Sequence, residues 1–245
     1  MPPLPPDLTE DAMLGGRIKV LQPRRGYRFS IDAVALARFI PAREGQVLVD
    51  LGTGCGVIPL AVAALVPGLS AVGVEIQEEL AAVAAENVRL NAMEDRVSIV
   101  HGDFSALPLP GVPARADLVC ANPPYLPPGT GRVNPDKSRA LARHEIAGCL
   151  ADAAAAAKKL LSPGGSFFAV YPSERLAHLL STVSAHSLEP KRLRTIHTRA
   201  ADPASLVLLQ ADRNAHPGLV VDPPLVLYQD SGEYTPETRA MLYPE

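Results

Sequence analysis

Residues 47–56 read Val47-Leu48-Val49-Asp50-Leu51-Gly52-Thr53-Gly54-Cys55-Gly56. The first five are an apolar strand that ends on an acid. The next five place a glycine at every second position, which lets the backbone turn tightly and come close to a ligand. The apolar run 57–66 (VIPLAVAALV) that follows reads as a helix. Strand, glycine turn and helix in this order make one unit of an α/β fold, and the units around it repeat the pattern.

Downstream, 70–76 (SAVGVEI) is a strand and 77–91 a helix, with Glu78 and Glu79 early and Arg89 late as the helix dipole prefers. Residues 97–103 (VSIVHGD) and 116–121 (ADLVCA) are strands. A long Ala-rich helix from about Glu145 to Leu161 ends at Ser-Pro-Gly-Gly. Then come a strand at 166–171, a helix at 173–186 and two strands, 191–198 and 204–211, close enough to be antiparallel neighbours. Continuous apolar strands separated by helices imply a mostly parallel sheet covered on both faces. The last two strands break the alternation, so one antiparallel strand enters that sheet.

Upstream, the Pro-rich residues 1–11 (MPPLPPDLTED) are expected to be a mobile arm, and 16–23 a short strand or hairpin arm. Ser30 reads as an N-cap, with Asp32 in the first turn of a helix to about Ile40. Residues 1–45 thus form an arm and basic segment leading into the core, 46–212 the α/β domain, and 213–245 a C-terminal extension packed on it. Thr235-Pro236 there marks a helix start.

The chain has 245 residues and is 47% hydrophobic, enough for one sizeable core. Its three cysteines have no paired spacing, which suggests a reducing, cytoplasmic setting and space-filling roles. No signal peptide or membrane span is expected, and no His/Cys/Asp spacing suggests a metal. The net charge of −3 hides polarity. Arg17, Lys19, Arg24, Arg25 and Arg28 face no acid between Ala12 and Ile31. The segment from Asp222 onward is acidic.

Three acids end three successive strands. Asp50, two residues before the first glycine of Gly52-Thr53-Gly54, would repel a phosphate but suits an ammonium. The spacing GxGxG is also not the dinucleotide fingerprint. Glu75, followed by Ile76, is placed to take two ribose hydroxyls. Asp103 can accept from an adenine amino group while Phe104 covers the base. Each alone can be a plain turn or strand end. Together they describe a ligand with an ammonium, a ribose and an adenine but no phosphate: S-adenosylmethionine.

The fourth strand ends in Asn122-Pro123-Pro124-Tyr125. A planar amino group is a poor nucleophile because its lone pair is delocalised. Asn122 Oδ1 and the Pro123 carbonyl can accept its two N–H bonds, and Tyr125 can stack on its plane, with Asn122 also beside the cofactor. The prolines stiffen the chain and add no competing donor.

DLGTGCG, VGVEI, HGDF and NPPY in this order resemble the class I S-adenosylmethionine-dependent amino-methyltransferases. That resemblance implies a Rossmann-like sheet of seven strands in the order 3-2-1-4-5-7-6. It also implies cofactor contacts for Asp50, Gly52, Gly54, Glu75 and Asp103 and target contacts for Asn122, Pro123 and Tyr125. Residues 14–39 (LGGRIKVLQPRRGYRFSIDAVALARF), ARHE after NPPY, and 224–242 (PLVLYQDSGEYTPETRAML) are similar to the bacterial tRNA(Val) adenine-N6 methyltransferase family. The likeness implies tRNA as partner, methylated at the adenine beside the anticodon. The Pro-rich stretch 127–145 departs from that family's pattern.

An unpaired loop adenine needs little work to extrude, and its phosphates need cations. Arg24, Arg25 and Arg28 before the core and Arg132, Arg139 and Arg143 after NPPY are the candidate RNA contacts. Tyr27 to Ser30 is expected to roof the base pocket, with Ser30 near the amino-acid end of the cofactor. Lys191, Arg192 and Arg194 read equally well as an RNA patch or a solvated surface. The alternatives are glutamine-N5 methylation of a release factor, N-methylation of rRNA or a small molecule, and a non-catalytic binding module. Those release-factor enzymes carry a helical substrate domain before the core. Here only 46 residues precede Val47, and on balance they are basic, which favours RNA.

Overall fold

The structure, a computed structural model, describes residues 7–24, 31–123 and 149–244. In chain order the elements are β1 (Leu8–Met13), β2 (Ile18–Pro23), α1 (Ile31–Phe39), β3 (Val47–Leu51), α2 (Val57–Leu65), β4 (Ser70–Glu75), α3 (Glu78–Leu90), β5 (Val97–His101) and β6 (Ala116–Ala121). After residue 148 come α4 (Cys149–Leu160), β7 (Leu161–Pro172), α5 (Leu176–Ala185), β8 (Leu188–His197), β9 (Ala204–Arg213), β10 (Val220–Val221), β11 (Leu225–Val226) and α6 (Pro236–Leu242).

The main sheet runs β10-β8-β9-β7-β6-β3-β4-β5, with β11 also on β8. Numbered from β3, its seven inner strands follow the expected order 3-2-1-4-5-7-6. β9 is the antiparallel member, inserted between β7 and β8. The two short strands β10 and β11 add to β8 in parallel, one after the other along its length. They make nine strands where seven were expected. A one-residue change of face separates two cores. Leu48, Cys120 and Phe168 pack under α1, α2 and α3. Val49, Val119 and Phe167, each one residue away, pack under α4 and α5. This is the period-2 signature of a sheet buried on both sides.

Beyond shifts of a few residues at element ends, two segments differ from the sequence reading. Leu8–Asp11 does not belong to a loose arm: it pairs antiparallel with β2, Leu8 opposite Pro23 and Asp11 opposite Val20. The polar face of β1 hid this strand. Ser162-Pro163-Gly164-Gly165 does not close the helix with a loop. It lies within β7, where the pairing with β6 jumps from Ala116↔Leu161 to Leu118↔Ser166. The Pro and glycines accommodate a bulge.

β2 is held to the core by side chains rather than by another strand. Asn87 of α3 accepts from the Leu21 N–H (2.6 Å) and donates to the Leu21 carbonyl (2.8 Å). One turn later Asn91 treats Lys19 the same way (2.9 and 2.7 Å). Residues 19 and 21 share one edge of a strand, and i, i+4 share one face of a helix. Two asparagines thus act as a surrogate ladder. Asn87 also donates to the Cys55 carbonyl (2.9 Å), tying the hairpin to the glycine turn.

The basic cluster on β8 is occupied with structure. Arg192 bonds Asp222 and sits over the Phe39 ring, 4.6 Å from its centroid. Arg194 bonds Glu237 (2.6 Å) and the Pro223 carbonyl (2.9 Å). Lys191 donates to the His216 carbonyl (3.1 Å). Of the two readings of this cluster, the pairing favours a structural one: it binds the acidic C-terminal segment. No helix among the described residues is long and apolar enough to cross a membrane, and no group of residues among them is arranged to hold a metal ion.

Candidate active site

The candidate residues converge because parallel strands in register end together. Asp50 stands opposite Gly73 and Cys120, Leu51 opposite Ala121, and Glu75 opposite His101. Gly52 and Asn122 are therefore the first residues beyond two neighbouring strands. Ligands in open α/β sheets bind at this carboxyl edge.

Asp50 is fully buried. Its Oδ1 accepts from the Cys120 thiol (3.2 Å), while its Oδ2 and the Thr53 hydroxyl are buried with no partner in hydrogen-bond geometry among the described residues. Burial pushes the Asp50 carboxyl up from 3.8 to about 6, against the opposing pull of the nearby Thr53 hydroxyl and the Cys120 thiol. The Thr53 hydroxyl lies near the Asp50 carboxyl but is not aligned for a hydrogen bond to it. Burial, reinforced by the charge of Asp50, also raises the Cys120 thiol well above its usual value. It stays protonated and donates. Cys120, expected only to fill space, is a donor to the site.

The glycine turn folds back over β4. Gly52, Gly54 and Gly56 all have positive φ (76°, 57° and 79°). Gly73 is also required, for a different reason: a Cβ there would lie 2.7 Å from the Thr53 side chain. Glu75, 4% exposed, accepts from the Gly54 N–H (2.8 Å) and the Gln77 N–H (2.9 Å). Burial raises its carboxyl too, opposed by these backbone N–H groups. Each oxygen accepts one bond there and has a second lone pair. Asp103 is exposed, and its Oδ1 accepts from the Ser105 N–H (2.8 Å). Phe104 is half-buried beside the turn, its ring 3.9 Å from where a Gly52 Cβ would stand. Ile76, at 40% exposure, is one of the few large apolar side chains left open.

Asn122 is half-buried and Pro123 buried. The Asn122 Nδ2 donates to Asp32 Oδ2 (3.3 Å) across 90 positions of sequence. Asp32, 8% exposed, also accepts at Oδ1 from the Ala33 N–H (2.8 Å). Its role at a helix start was legible; its contact with Asn122 was not. Asp50, Gly52, Thr53, Gly54, Glu75, Ile76, Asp103, Phe104, Asn122 and Pro123 all lie at this edge. Arg24 is on the segment after β2. Tyr125, Ser30, Arg25, Arg28, Arg132, Arg139 and Arg143 lie outside the described residues.

The seven strands in this order, with a glycine turn and acids at successive strand ends, are those of the class I methyltransferase fold. Solved structures agree. A predicted O-methyltransferase, Atu636 from Agrobacterium tumefaciens, matches 86% of this chain and 94% of its own, with a TM-score of 0.69 at 22% identity. TYW2 of P. horikoshii in complex with MeSAdo matches 85% and 72%, with a TM-score of 0.59 at 18% identity.

The Methyltransferase small domain model matches residues 29–181, and the chain belongs to that family. More narrowly, it is 31% identical to the tRNA1(Val) (adenine(37)-N6)-methyltransferase of Porphyromonas gingivalis strain W83, over 81% of this chain and 79% of the relative. It is 28% identical to the protein of that name from Tolumonas auensis, over 90% of each.

The residues present fit S-adenosylmethionine. Asp50 Oδ2 and Thr53 Oγ1 are buried acceptors or donors awaiting a partner. The positive-φ glycines 52, 54 and 56 of the turn have no Cβ to block a close approach. Glu75 presents remaining lone pairs beside an exposed apolar Ile76. Nothing at this edge is cationic among the named residues, so a phosphate would be poorly held.

Proposed function

We propose that this protein methylates N6 of an adenine in tRNA, at the position beside the anticodon, with S-adenosylmethionine as the methyl donor. When bound, that cofactor supplies an electrophilic methyl group on a sulfonium. The chain's own residues do the rest. Asp50 carries the negative charge that meets the cofactor's ammonium. Glu75 accepts from its ribose. Asn122 Oδ1 and the Pro123 carbonyl accept the two N–H bonds of the target amino group, which draws its lone pair out of the ring plane. Tyr125 stacks on the base, and Arg24, Arg25, Arg28, Arg132, Arg139 and Arg143 meet the phosphates. The work is alignment and electrostatics, so no strong general base is needed.

The observation that carries this reading is the coincidence of two facts. Asn122 and Gly52 stand side by side at adjacent strand ends, and similarity to adenine-N6 tRNA methyltransferases runs over four-fifths or more of the chain. The test is incubation with methyl-labelled S-adenosylmethionine and either unmodified tRNA or a release factor, followed by nucleoside and peptide analysis. Label in N6-methyladenosine of tRNA is expected. Label in glutamine of the protein would replace this function with the rival one.

A further inference from the structure

We propose that Asp32 is a positioning residue that sets which end of the Asn122 amide faces the target nitrogen. The inference rests on the assignment of Asn122 as an acceptor for that nitrogen.

A primary amide can turn over, exchanging its acceptor for a donor at nearly the same place. An amino group to be methylated needs the acceptor. Facing it with NH2 would set donor against donor. The strand itself does not decide between the two. Period-2 alternation puts Asn122 on the same face of the sheet as Leu118 and Cys120, the face covered by α1. There the first turn of α1 brings Asp32 to the amide. An ionised carboxylate only accepts, so it binds the Nδ2 end and leaves Oδ1 on the side away from Asp32. A bond to an anion also polarises the amide, which makes Oδ1 a stronger acceptor.

The Ala33 N–H holds the other carboxylate oxygen. The Asp32 side chain is therefore fixed at both oxygens. A residue in the segment before the core orients the motif that ends β6, and neither stretch contains the instruction by itself.

The first measurement needs no turnover. With 15N-Asn-labelled protein, the Asn122 side-chain amide resonances, assigned by their loss in Asn122→Ala, should move and exchange faster in Asp32→Ala. The second is kinetic. Asp32→Ala should slow single-turnover methyl transfer to tRNA about 100-fold, the scale of a misplaced reacting group, with S-adenosylmethionine affinity within about twofold of wild type. Asp32→Asn can still accept at one atom and should recover part of the loss. If Asp32→Ala does not fold, Asp32→Asn carries both measurements. In an Asn122→Ala background the same Asp32 change should cost nothing further, because the group it orients is gone. Additive losses, unmoved amide resonances, or a cofactor affinity that falls in step with the rate would each overturn the proposal. If the wild-type enzyme leaves tRNA unlabelled, the substrate reading fails while the amide resonances still decide the role of Asp32.

Discussion

The carboxyl edge of β3, β4 and β6 and the side of the sheet at β8 are both rich in charge, and they treat it in opposite ways. At β8 the charges of Arg192 and Arg194 are matched by Asp222 and Glu237 of the C-terminal segment. At the carboxyl edge Asp50 is buried with no cation paired to it among the described residues, and one of its oxygens has no hydrogen-bond partner there. Folding rarely leaves a buried acceptor open, because it costs desolvation with nothing in return. A region that is satisfied holds the molecule together. One that is left unsatisfied has capacity to bind something else.

The contrast can be broken by experiment. The largest effect is expected at Asn122→Ala, which should lower methyl transfer about 10²- to 10³-fold, the scale of removing one aligned electrostatic group. Cofactor affinity, measured by calorimetry, should be nearly unchanged. A variant that turns over normally would remove Asn122 from the chemistry.

Asn87→Leu should destabilise the fold by about 2–3 kcal/mol, since it leaves the Leu21 N–H and two carbonyls buried without partners. Thermal or urea unfolding measures this. A loss confined to activity would mean the hairpin is not anchored as described.

Asp50 should show itself through pH. Its carboxyl is raised in the folded protein, so between the unfolded value of 3.8 and about 6 the folded state binds more protons than the unfolded one. Stability of the cofactor-free protein should therefore fall as pH rises through that window, with the penalty fully present above it. Glu75 acts in the same direction. Asp50→Asn should flatten the dependence and weaken S-adenosylmethionine binding. The cofactor's ammonium favours the anion, so wild-type affinity should weaken as pH falls below about 6. A pH-independent affinity would argue that Asp50 does not meet the ammonium.

The smallest effect belongs to the β8 side. Arg194→Ala removes a pair whose acid is more than half exposed, and it should cost under about 1 kcal/mol by unfolding and nothing in methyl transfer. A large loss of tRNA affinity would return this cluster to the RNA-binding surface.

Much of this was legible from residue order. Apolar strands alternating with helices give the parallel sheet, because a strand covered on both faces must be apolar on both. Glycines at 52, 54 and 56 followed by acids at 75 and 103 mark the ligand edge, because these positions end strands. The β1 strand was not legible, since LTEDAM carries a half-exposed pattern and pairs only with its own hairpin partner. Nor were β10 and β11, each two residues long.

What the sequence determined alone was therefore local: which apolar core segments are strands, roughly where each ends, and which side chains stand at the carboxyl ends. Period and punctuation act over a few residues, so they can be read without the fold. What the tertiary structure alone decided were relations between distant segments. Asp32 meets Asn122 across 90 positions. Asn87 meets Leu21 across 66. Asp50 meets Cys120 across 70. Each is a directed hydrogen bond between polar groups that burial deprives of water. Such a bond exists only once packing has brought donor and acceptor within about 3 Å, a distance that no property of either segment by itself contains.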